Sequence, residues 1–420
     1  MDSPKMTSAQ ITWNNVTSRH AKSIHSIVLV VASALVGYVT WGKFGWTAGG
    51  MIFPLIWSAA ATRRDAGLVT LAYYLAGSRV IPSSADVFFG HEISYLMGIL
   101  IWLCAASVNA APWLALWTPG EKRTATVVAV RTVAALVIGL LPPIAIIGWM
   151  SPLLSAATLF PGLGLTSFLL GGALLAIMTC LIAARNFRAL AVSAAVVTGL
   201  AIFSTSIKAP AAPKSWKAIN LAAGPFPHST IEIFERNKVL MRQSMEAMER
   251  GAKVIVFPEQ IAGWWGDLST KSMLEATLKS QPNSDDVTII FGAEVHLPDS
   301  LGSTNSLIFM SNDGLGKLDS RQSVPIALWR PWSEISNPAD WTRTNVVPVG
   351  DVKALFSFCY EDFIPILHIL SFIADDPKVI VSVSNAWWVR GTDEVEIQEQ
   401  HIAAIAKIFG VPLLRAVNRG

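Results

Sequence analysis

Two short stretches of the chain combine side chains that could carry out covalent catalysis. Glu259 follows the apolar run 253–257, and Cys359 follows the apolar run 355–358. A thiol becomes a nucleophile when a neighbouring carboxylate removes its proton, and the carboxyl end of a buried strand faces the crevice in which α/β folds bind ligands. The pattern is compatible with nucleophilic catalysis by a thiol. From spacing alone, Cys359 is equally well explained as a small buried apolar side chain, and Glu259 is better explained as a solvated loop carboxylate.

The second half of the chain has the pattern of an α/β domain that would position these side chains. Helices are predicted over 229–251 and 394–409. Strands are predicted at 217–222, 253–257, 287–292, 305–310, 352–358, 379–383 and 411–416. Short, continuous apolar runs suit strands buried on both faces of a sheet, and their alternation with helices argues for α/β layers.

The first half has a composition unlike that of a soluble domain. The chain is 52% hydrophobic and 15% charged, whereas a typical soluble domain has about 25% charged residues. Residues 1–207 carry only 5 Asp+Glu, against 24 in residues 208–420. Crossing a bilayer takes about 20 apolar residues per helix. Seven segments approach this length, at 27–42, 46–62, 66–82, 93–117, 125–149, 153–183 and 189–207.

We therefore predict a multi-span α-helical membrane bundle over residues 27–207, after an N-terminus at 1–26 and before a linker at 208–217. Basic residues are enriched before the first segment and after the second, fourth and sixth, at Lys5, Arg19, Lys22, Arg63, Arg64, Lys122, Arg123, Arg185 and Arg188. The other loops hold Lys43, Asp86, His91 and Glu92, with Arg79 at the edge of the third segment. The positive-inside rule then predicts a cytoplasmic N-terminus and, after seven spans, a domain outside the cytoplasm from residue 208. An error of one span would reverse that side.

Several classes of site have no support in the sequence. No glycine-rich phosphate loop and no Cys/His cluster with metal-ligand spacing is present, so we predict no cofactor and no metal. The basic residues of the second half are dispersed, so we expect no direct nucleic-acid binding. Three cysteines in 420 residues exclude a disulfide-stapled scaffold.

Four stretches in order carry a family resemblance. They are VIVFPEQ at 254–260, TNSLIFM at 304–310, FSFCYEDFIP at 356–365, and VSVSNAWWVRG at 381–391 followed by EQHIAAIAKIFGVPLLRAVNRG at 399–420. Together they resemble the nitrilase (carbon-nitrogen hydrolase) superfamily, specifically its apolipoprotein N-acyltransferase branch. That branch joins a multi-span membrane bundle to an extracytoplasmic nitrilase domain. The shorter chain looks most similar to relatives of that branch that act in conjugal plasmid transfer.

The resemblance implies an α-β-β-α sandwich over residues 218–420, lying in the periplasm and anchored to the bacterial inner membrane. It implies that Glu259 is the general base and Cys359 the nucleophile, with Glu361 as a supporting carboxylate. Tyr360, Asn305, Trp387 and Arg415 match pocket or framework positions. The implied reaction takes an acyl chain from a membrane lipid onto the thiol and passes it to an amine acceptor. Conjugal transfer proteins are possible partners.

The family's third catalytic residue, a lysine, has no counterpart here. Ser320 occupies the position of that lysine. Leu328 occupies the position of a glutamate that follows the lysine in the family. A lysine ammonium would stabilise the oxyanion, and losing such a donor costs about 10²–10³ in rate. Arg321 and Lys317 are candidates for a substitute cation, although both could equally lie on a solvated loop.

Two further departures bear on the interpretation. Asn385 is followed directly by Ala386, without the aspartate that the family places between them. The sequence given ends at Gly420, where the family continues with more strands and a membrane helix, so we expect a C-terminally short domain. Three functions therefore remain open: a thiol acyltransferase, a catalytically degenerate membrane factor that uses the fold for binding, and an amidase acting on a small soluble substrate.

Overall fold

The structure is a computed structural model that describes residues 8–89, 95–266, 268–280, 286–298, 300–389 and 391–419. Lys5, His91 and Glu92, which enter the charge argument, lie outside these ranges. The first half is helical. Its helices are α1 (Ser8–Thr40), α2 (Ile52–Ala59), α3 (Arg63–Gly77), α4 (Ile81–Phe88), α5 (Tyr95–Leu116), α6 (Ala125–Gly139), α7 (Pro152–Ala157), α8 (Leu165–Ala183) and α9 (Phe187–Ser206).

Polar residues in the loops set where several of these helices begin. The hydroxyls of Thr62, Thr124 and Ser151 accept hydrogen bonds from backbone amides in the first turns of α3, α6 and α7. The side chain of Asn186 does the same for α9. Such caps satisfy amides that have no partner within the helix, so they fix helix starts inside an otherwise continuous apolar sequence.

Four helical segments among the described residues are long and apolar enough to cross a membrane: Lys22–Thr40, Tyr95–Leu116, Leu165–Ala183 and Phe187–Ser206. The predicted segments 46–62, 66–82 and 125–149 contain shorter helices instead. Helices α3 and α6 have 15 residues each, which at 1.5 Å per residue is about 22 Å, short of the roughly 30 Å bilayer core. Seven complete spans are therefore not confirmed, and helix length supports four.

Contacts show that the helical segments alternate in direction. At one end of the helical half, Ser26 on α1 donates to Asp65, and Arg63 donates to the carbonyl of Trp117. We call this the distal end. At the other end, the junction, the backbone amides of Met150 and Gly164 donate to His401 and to the carbonyl of Ile408 in the second half. The chain thus returns repeatedly to the second half from the distal end.

The second half contains two sheets. Their strands are β1 (Trp216–Ala218), β2 (Val254–Val256), β3 (Trp264–Trp265), β4 (Thr288–His296), β5 (Ser303–Ser311), β6 (Gly314–Asp319), β7 (Val346–Val349), β8 (Val352–Phe358), β9 (Val379–Ala386) and β10 (Leu413–Arg419). The first sheet has the order β1-β2-β4-β5-β6, with β3 paired to β4. The second has the order β10-β9-β8-β7, and its β8, β9 and β10 are parallel.

The inner faces of the two sheets pack against each other, and helices cover their outer faces. Val256 and Ile290 of the first sheet lie in the same buried cluster as Phe356 and Val381 of the second. The outer face of the first sheet packs against α10 (Thr230–Glu249) and α11 (Leu268–Ser280), and that of the second against α12 (Pro365–Asp375) and α13 (Glu394–Phe409). Strand β2 is therefore buried on both sides, which explains its unbroken apolar sequence.

The helical half and the second half share a hydrophobic core. One buried cluster includes Trp41 and Tyr73 from the helical half together with Leu367 and Ile405 from α12 and α13. The Trp41 ring also stacks on His401 with centroids 4.3 Å apart. The junction is thus a packed interior and not a flexible tether.

Candidate active site

Cys359 stands where β8 ends and a short 3-10 turn over Cys359–Phe363 begins. Its φ of 33° lies in the left-handed region, which costs a non-glycine residue about 1–3 kcal/mol. Such a conformation persists only where surrounding packing enforces it, and Phe356 and Phe358 just before it are fully buried. The rigid strand therefore fixes the thiol at the carboxyl end of β8.

Glu259 comes three residues after the end of β2 and is 5% exposed. One carboxylate oxygen accepts a hydrogen bond from the Asn305 side chain on β5, and the other accepts from the backbone amide of Asn385 at 3.0 Å. Because β5 and β9 belong to different sheets, this carboxylate bridges the two at the ends of their strands. Asn305, a predicted site residue, thus holds Glu259 in place.

The Cys359 thiol lies near enough to the Glu259 carboxylate for each group to shift the pKa of the other. The structure therefore brings these two predicted site residues together from strands of opposite sheets. Burial raises the pKa of Glu259 to about 7, and the bonds from Asn305 and the Asn385 amide partly offset that rise. A carboxyl group that titrates near neutrality next to a thiol can exchange a proton with it.

Burial and acidic neighbours favour the protonated form of the Cys359 thiol. Burial raises its pKa, and the charges of Glu259, Asp362 and Glu394 raise it further. The Ser384 hydroxyl, 3.5 Å from Sγ, has the opposite effect. The protonated thiol is therefore favoured over the thiolate, and Glu259 is the candidate acceptor for its proton.

Close packing against β4 requires a glycine beside Glu259. A Cβ atom added to Gly292 would lie 2.2 Å from the backbone nitrogen of Gln260 and 2.5 Å from Cα of Glu259. Any side chain at position 292 would push the Glu259 loop out of place. The position of the Glu259 carboxylate thus depends on Gly292 in β4.

Glu361 is fully buried and organises the loop that contains the family's lysine position. Its Oε1 accepts from the Ser320 hydroxyl at 3.1 Å and from the amides of Arg321 and Gln322. Its Oε2 lies 3.3 Å from Nη2 of Arg321. Glu361 therefore supports the site by tying the loop 320–322 to the end of β8.

The two candidate substitute cations are engaged elsewhere. Arg321 is 1% exposed, so its placement on a solvated loop is wrong: its guanidinium binds Glu361, the Leu367 carbonyl and the Ser371 hydroxyl. Lys317 lies on β6, half exposed, with Nζ 3.0 Å from Asp319. The charges that most affect the pKa of the Cys359 thiol belong to carboxylates, and neither Arg321 nor Lys317 is among them.

A polar network lies behind Cys359, and its central residue, Gln398, was not predicted from the sequence. Gln398 on α13 donates to the carbonyl of Cys359 at 2.8 Å and to Asp362 at 3.0 Å, and accepts from Ser384 at 3.1 Å. Arg415 lies 3.4 Å from Gln398 and pairs with Glu399, so it braces this network. The only sequence signal for Gln398 is a polar residue on the apolar face of α13.

The remaining predicted residues have different positions. Tyr360 faces the helical half: its hydroxyl donates to the Ile146 carbonyl at 2.7 Å and accepts from Trp149. Trp387 begins a 3-10 turn after β9. Its neighbour Trp388 lines the cavity beside Cys359, as does Trp149, whereas Trp387 is not among the lining residues. A framework role for Trp387 therefore stays a prediction.

An apolar cavity of about 330 Å³ opens beside Cys359 at the junction. Helices α4 and α5 contribute one wall, and the second half contributes the other. Its lining includes Phe88, Leu100, Ile101, Trp149, Phe363 and Trp388. Within the described ranges, no group of three His, Cys, Asp or Glu side chains could hold a metal ion. The arrangement can attack a carbonyl carbon that arrives with an apolar substituent.

Comparisons with known proteins complete the description of the chain. No family model matches it. Among solved structures it is similar to an amidase of Nesterenkonia from the nitrilase superfamily, with 12% identity, coverage of 49% of this chain and 78% of that one, and a TM-score of 0.38. A second similar structure is a CN-hydrolase superfamily protein of Xanthomonas campestris, with 14% identity, coverage of 42% and 64%, and a TM-score of 0.27.

Two curated relatives match over nearly their whole length. A probable conjugal transfer protein TraB of Sinorhizobium fredii is 30% identical over 404 residues, which cover 93% of this chain and 97% of that protein. A conjugal transfer protein TraB of Agrobacterium fabrum is 30% identical over an alignment of 433 positions. The alignment covers 97% of this chain and 96% of that protein. The chain therefore belongs to the TraB family of conjugal transfer proteins.

Proposed function

We propose that this chain is a membrane-anchored thiol N-acyltransferase of the nitrilase superfamily that acts in conjugal plasmid transfer. One observation carries the proposal. Cys359, which lies beside the buried Glu259, opens into an apolar cavity built jointly by the helical half and the second half. An amidase for a small polar substrate would gain nothing from such walls, so the cavity favours a donor with an acyl chain.

In the first half-reaction, Glu259 takes the proton of the Cys359 thiol. The sulfur attacks the ester carbonyl carbon of a membrane lipid, and a tetrahedral adduct forms. The adduct expels the alcohol oxygen, which receives the proton from Glu259 and leaves an acyl-thioester. In the second half-reaction an amine attacks the thioester, an amide is released and the thiol is restored.

The position of the cavity suits a lipid donor. Several residues of α4 and α5 that line it or flank it are exposed on the outer surface of the helices: Val87 (37%), Tyr95 (55%), Leu96 (63%), Met97 (46%) and Leu100 (46%). Helix α5 is one of the segments long enough to cross a bilayer. A lipid in the bilayer could therefore pass its acyl chain between these helices without entering water.

A second function is a catalytically degenerate membrane factor of the transfer apparatus that uses the fold for binding. Two observations favour it. The lysine position is Ser320, whose hydroxyl is bonded to Glu361, and the charges that act most strongly on the thiol are carboxylates, which disfavour the thiolate. Its partners would be other conjugal transfer proteins.

Intact-mass analysis of protein purified from membranes separates the two functions. The acyltransferase should carry an acyl adduct that hydroxylamine removes and that Cys359→Ser and Glu259→Gln lack. Cys104→Ser is the matched control, because Cys104 is also a free thiol in the cavity wall. An unmodified wild-type protein after incubation with phospholipid would favour the binding factor.

The proposal includes an orientation in the bacterial inner membrane, with the N-terminus in the cytoplasm and the second half in the periplasm. The basic residues Arg63 and Arg123 both lie at the distal end, where Arg63 donates to the carbonyl of Trp117 and Arg123 to that of Ala60. The positive-inside rule places that end in the cytoplasm, and the junction then faces the periplasm. A single-cysteine probe at Lys217 should react from the periplasmic side; labelling from the cytoplasm alone would overturn this orientation.

A further inference from the structure

The apolar cavity beside Cys359 contains an isolated acid. Among the described residues that line it, Glu394 at the start of α13 is the one carboxylic acid. Cys359 and Glu394 line the same cavity, and the charge of Glu394 is one of those that raise the pKa of the thiol. The mechanism proposed above gives this carboxylate no task.

Glu394 also faces a polar group from the helical half that lacks a partner. Oε2 of Glu394 and the hydroxyl of Ser84 on α4 are both buried, and neither has a well-aligned hydrogen-bond partner within the described ranges. Both residues line the cavity; burial raises the pKa of Glu394 to about 7, and its interaction with the nearby Ser84 hydroxyl partly offsets that rise. Two adjacent buried oxygens with unused hydrogen-bonding capacity indicate that a donor from a ligand belongs between them.

Neighbouring ion pairs hold Glu394 in the cavity wall. Asp393 lies 2.5 Å from Nη2 of Arg79 and 3.5 Å from Nζ of Lys43, both in the helical half. The Glu394 amide donates to the Thr392 hydroxyl at 3.3 Å. The loop before α13 is thus pinned to the junction, and Glu394 is kept close to Ser84.

We propose that Glu394 and Ser84 bind the primary amine of the acyl acceptor, which deepens the acyltransferase function and rests on it. An ammonium group offers three donors, so it can bond to both unpaired oxygens at once. An anionic group in the acceptor position would be repelled by Glu394, Glu259 and Asp362. The bound nitrogen would lie beside the thioester carbonyl carbon on Cys359.

The carboxylate also supplies the chemistry that the amine requires. The ammonium transfers one proton to Glu394, and the neutral nitrogen attacks the thioester carbon. Glu259 takes the second proton from nitrogen and delivers it to the departing sulfur of Cys359. The products are the amide, the free thiol and a protonated Glu394, which returns its proton to water.

Single-turnover aminolysis tests this role in the full chain reconstituted in nanodiscs. Cys359 is loaded from p-nitrophenyl palmitate, which has no amine, and hexylamine is added as the acceptor probe. Glu394→Gln should still load, because loss of this charge lowers the pKa of the Cys359 thiol, but the ratio of aminolysis to hydrolysis should fall about tenfold or more. Ser84→Ala should lose less. Glu396→Gln, an exposed position two residues along α13, is the matched control and should behave as wild type.

A binding measurement keeps the inference testable if no thioester forms. Calorimetric titration should show that wild type and Glu396→Gln prefer hexylamine over hexanol by about tenfold, and that Glu394→Gln and Ser84→Ala weaken this preference. An unchanged preference in Glu394→Gln would overturn the inference, and so would an unchanged ratio of aminolysis to hydrolysis. A wild-type protein that never loads refutes the acyltransferase and leaves the binding result to decide.

One further arm distinguishes the acceptor amine from the ammonium of a lipid headgroup. Loading of Glu394→Gln is compared between phosphatidylethanolamine and phosphatidylglycerol donors. Equal loading from both supports the acceptor site. Slower loading from phosphatidylethanolamine alone would show that Glu394 binds the donor headgroup, and the acceptor assignment would be wrong.

Discussion

The indole nitrogen of Trp149 donates a hydrogen bond to the hydroxyl of Tyr360, with a nitrogen–oxygen distance of 3.1 Å. The two residues belong to different halves of the chain, and Tyr360 is adjacent to the candidate nucleophile. The same hydroxyl donates to the carbonyl of Ile146. The turn that carries Cys359 is thus positioned from both sides of the junction.

Removing this hydroxyl should loosen the junction. Tyr360→Phe leaves the Ile146 carbonyl and the Trp149 indole without their partner, so we expect a loss of about 1–3 kcal/mol in the free energy of unfolding. Scanning calorimetry in nanodiscs should show a lower midpoint than for wild type. Tyr95→Phe, at an exposed tyrosine, should leave the midpoint in place. Equal midpoints for all three proteins would argue against a structural role for this bond.

The raised pKa of Glu259 predicts a pH-dependent stability. Its pKa rises from the ordinary 4.5 to about 7 on folding. Between these values the unfolded chain releases a proton that the folded chain keeps, so this contribution to stability is full below pH 4.5 and is lost as pH rises to 7. Glu259→Gln has no such loss and should gain on wild type by up to about 3 kcal/mol across that window.

Unfolding midpoints of wild type and Glu259→Gln, measured from pH 4.5 to 8, provide the comparison. Glu235→Gln is the control for removal of a carboxylate, because that side chain is exposed in a surface ion pair. A difference between wild type and Glu259→Gln that does not change with pH would mean that Glu259 keeps its ordinary pKa in the fold.

The size of the cavity should set the length of the acyl chain that the site accepts. Ala105 is buried on α5 and lines the cavity. Ala105→Phe should fill much of the space and slow loading from palmitoyl esters by tenfold or more, while acetyl esters load as before. Ala111→Phe, on an exposed face of the same helix, is the control. Equal losses with short and long esters would show that the chain binds elsewhere.

The reactivity of Cys359 should report the missing cation. In a background without Cys104 and Cys180, iodoacetamide should alkylate Cys359 slowly at neutral pH, because burial and nearby carboxylates raise its pKa. Ser320→Lys should speed alkylation by placing an ammonium near the thiolate. Lys317→Ala should change nothing, since its Nζ pairs with Asp319. Slower alkylation in Lys317→Ala would show that this lysine already assists the thiol.

The sequence predicted the elements that carry the chemistry with accurate limits. Strand β8 and helix α13 have the expected bounds, 352–358 and 394–409. Both have strong local signals: β8 is a short apolar run, and α13 ends at Gly410, whose φ of 67° suits a left-handed helix cap. The meeting of Glu259 and Cys359 followed from their places at strand ends.

Other features depend on contacts that no local pattern reveals. The burial of Arg321 depends on Glu361, forty positions later, so the sequence could not separate a buried ion pair from a loop cation. Hydropathy alone merged residues 125–149 into one segment, whereas helix α6 ends at Gly139 before Pro142 and Pro143. Whether Trp387 or Trp388 lines the cavity depends on the geometry of a single turn.

The shared core at the junction has a consequence for biogenesis. The last turn of α13 is closed by the helical half, since the amides of Gly162 and Gly164 donate to the carbonyls of Lys407 and Ile408. Ribosomes synthesise the helical half first, so the surface that receives α13 exists before α13 is translated. The helical half can therefore fold before the candidate site around Cys359 is complete. Under the proposed function, the thiol would be assembled only after the segments that meet the lipid donor are in place.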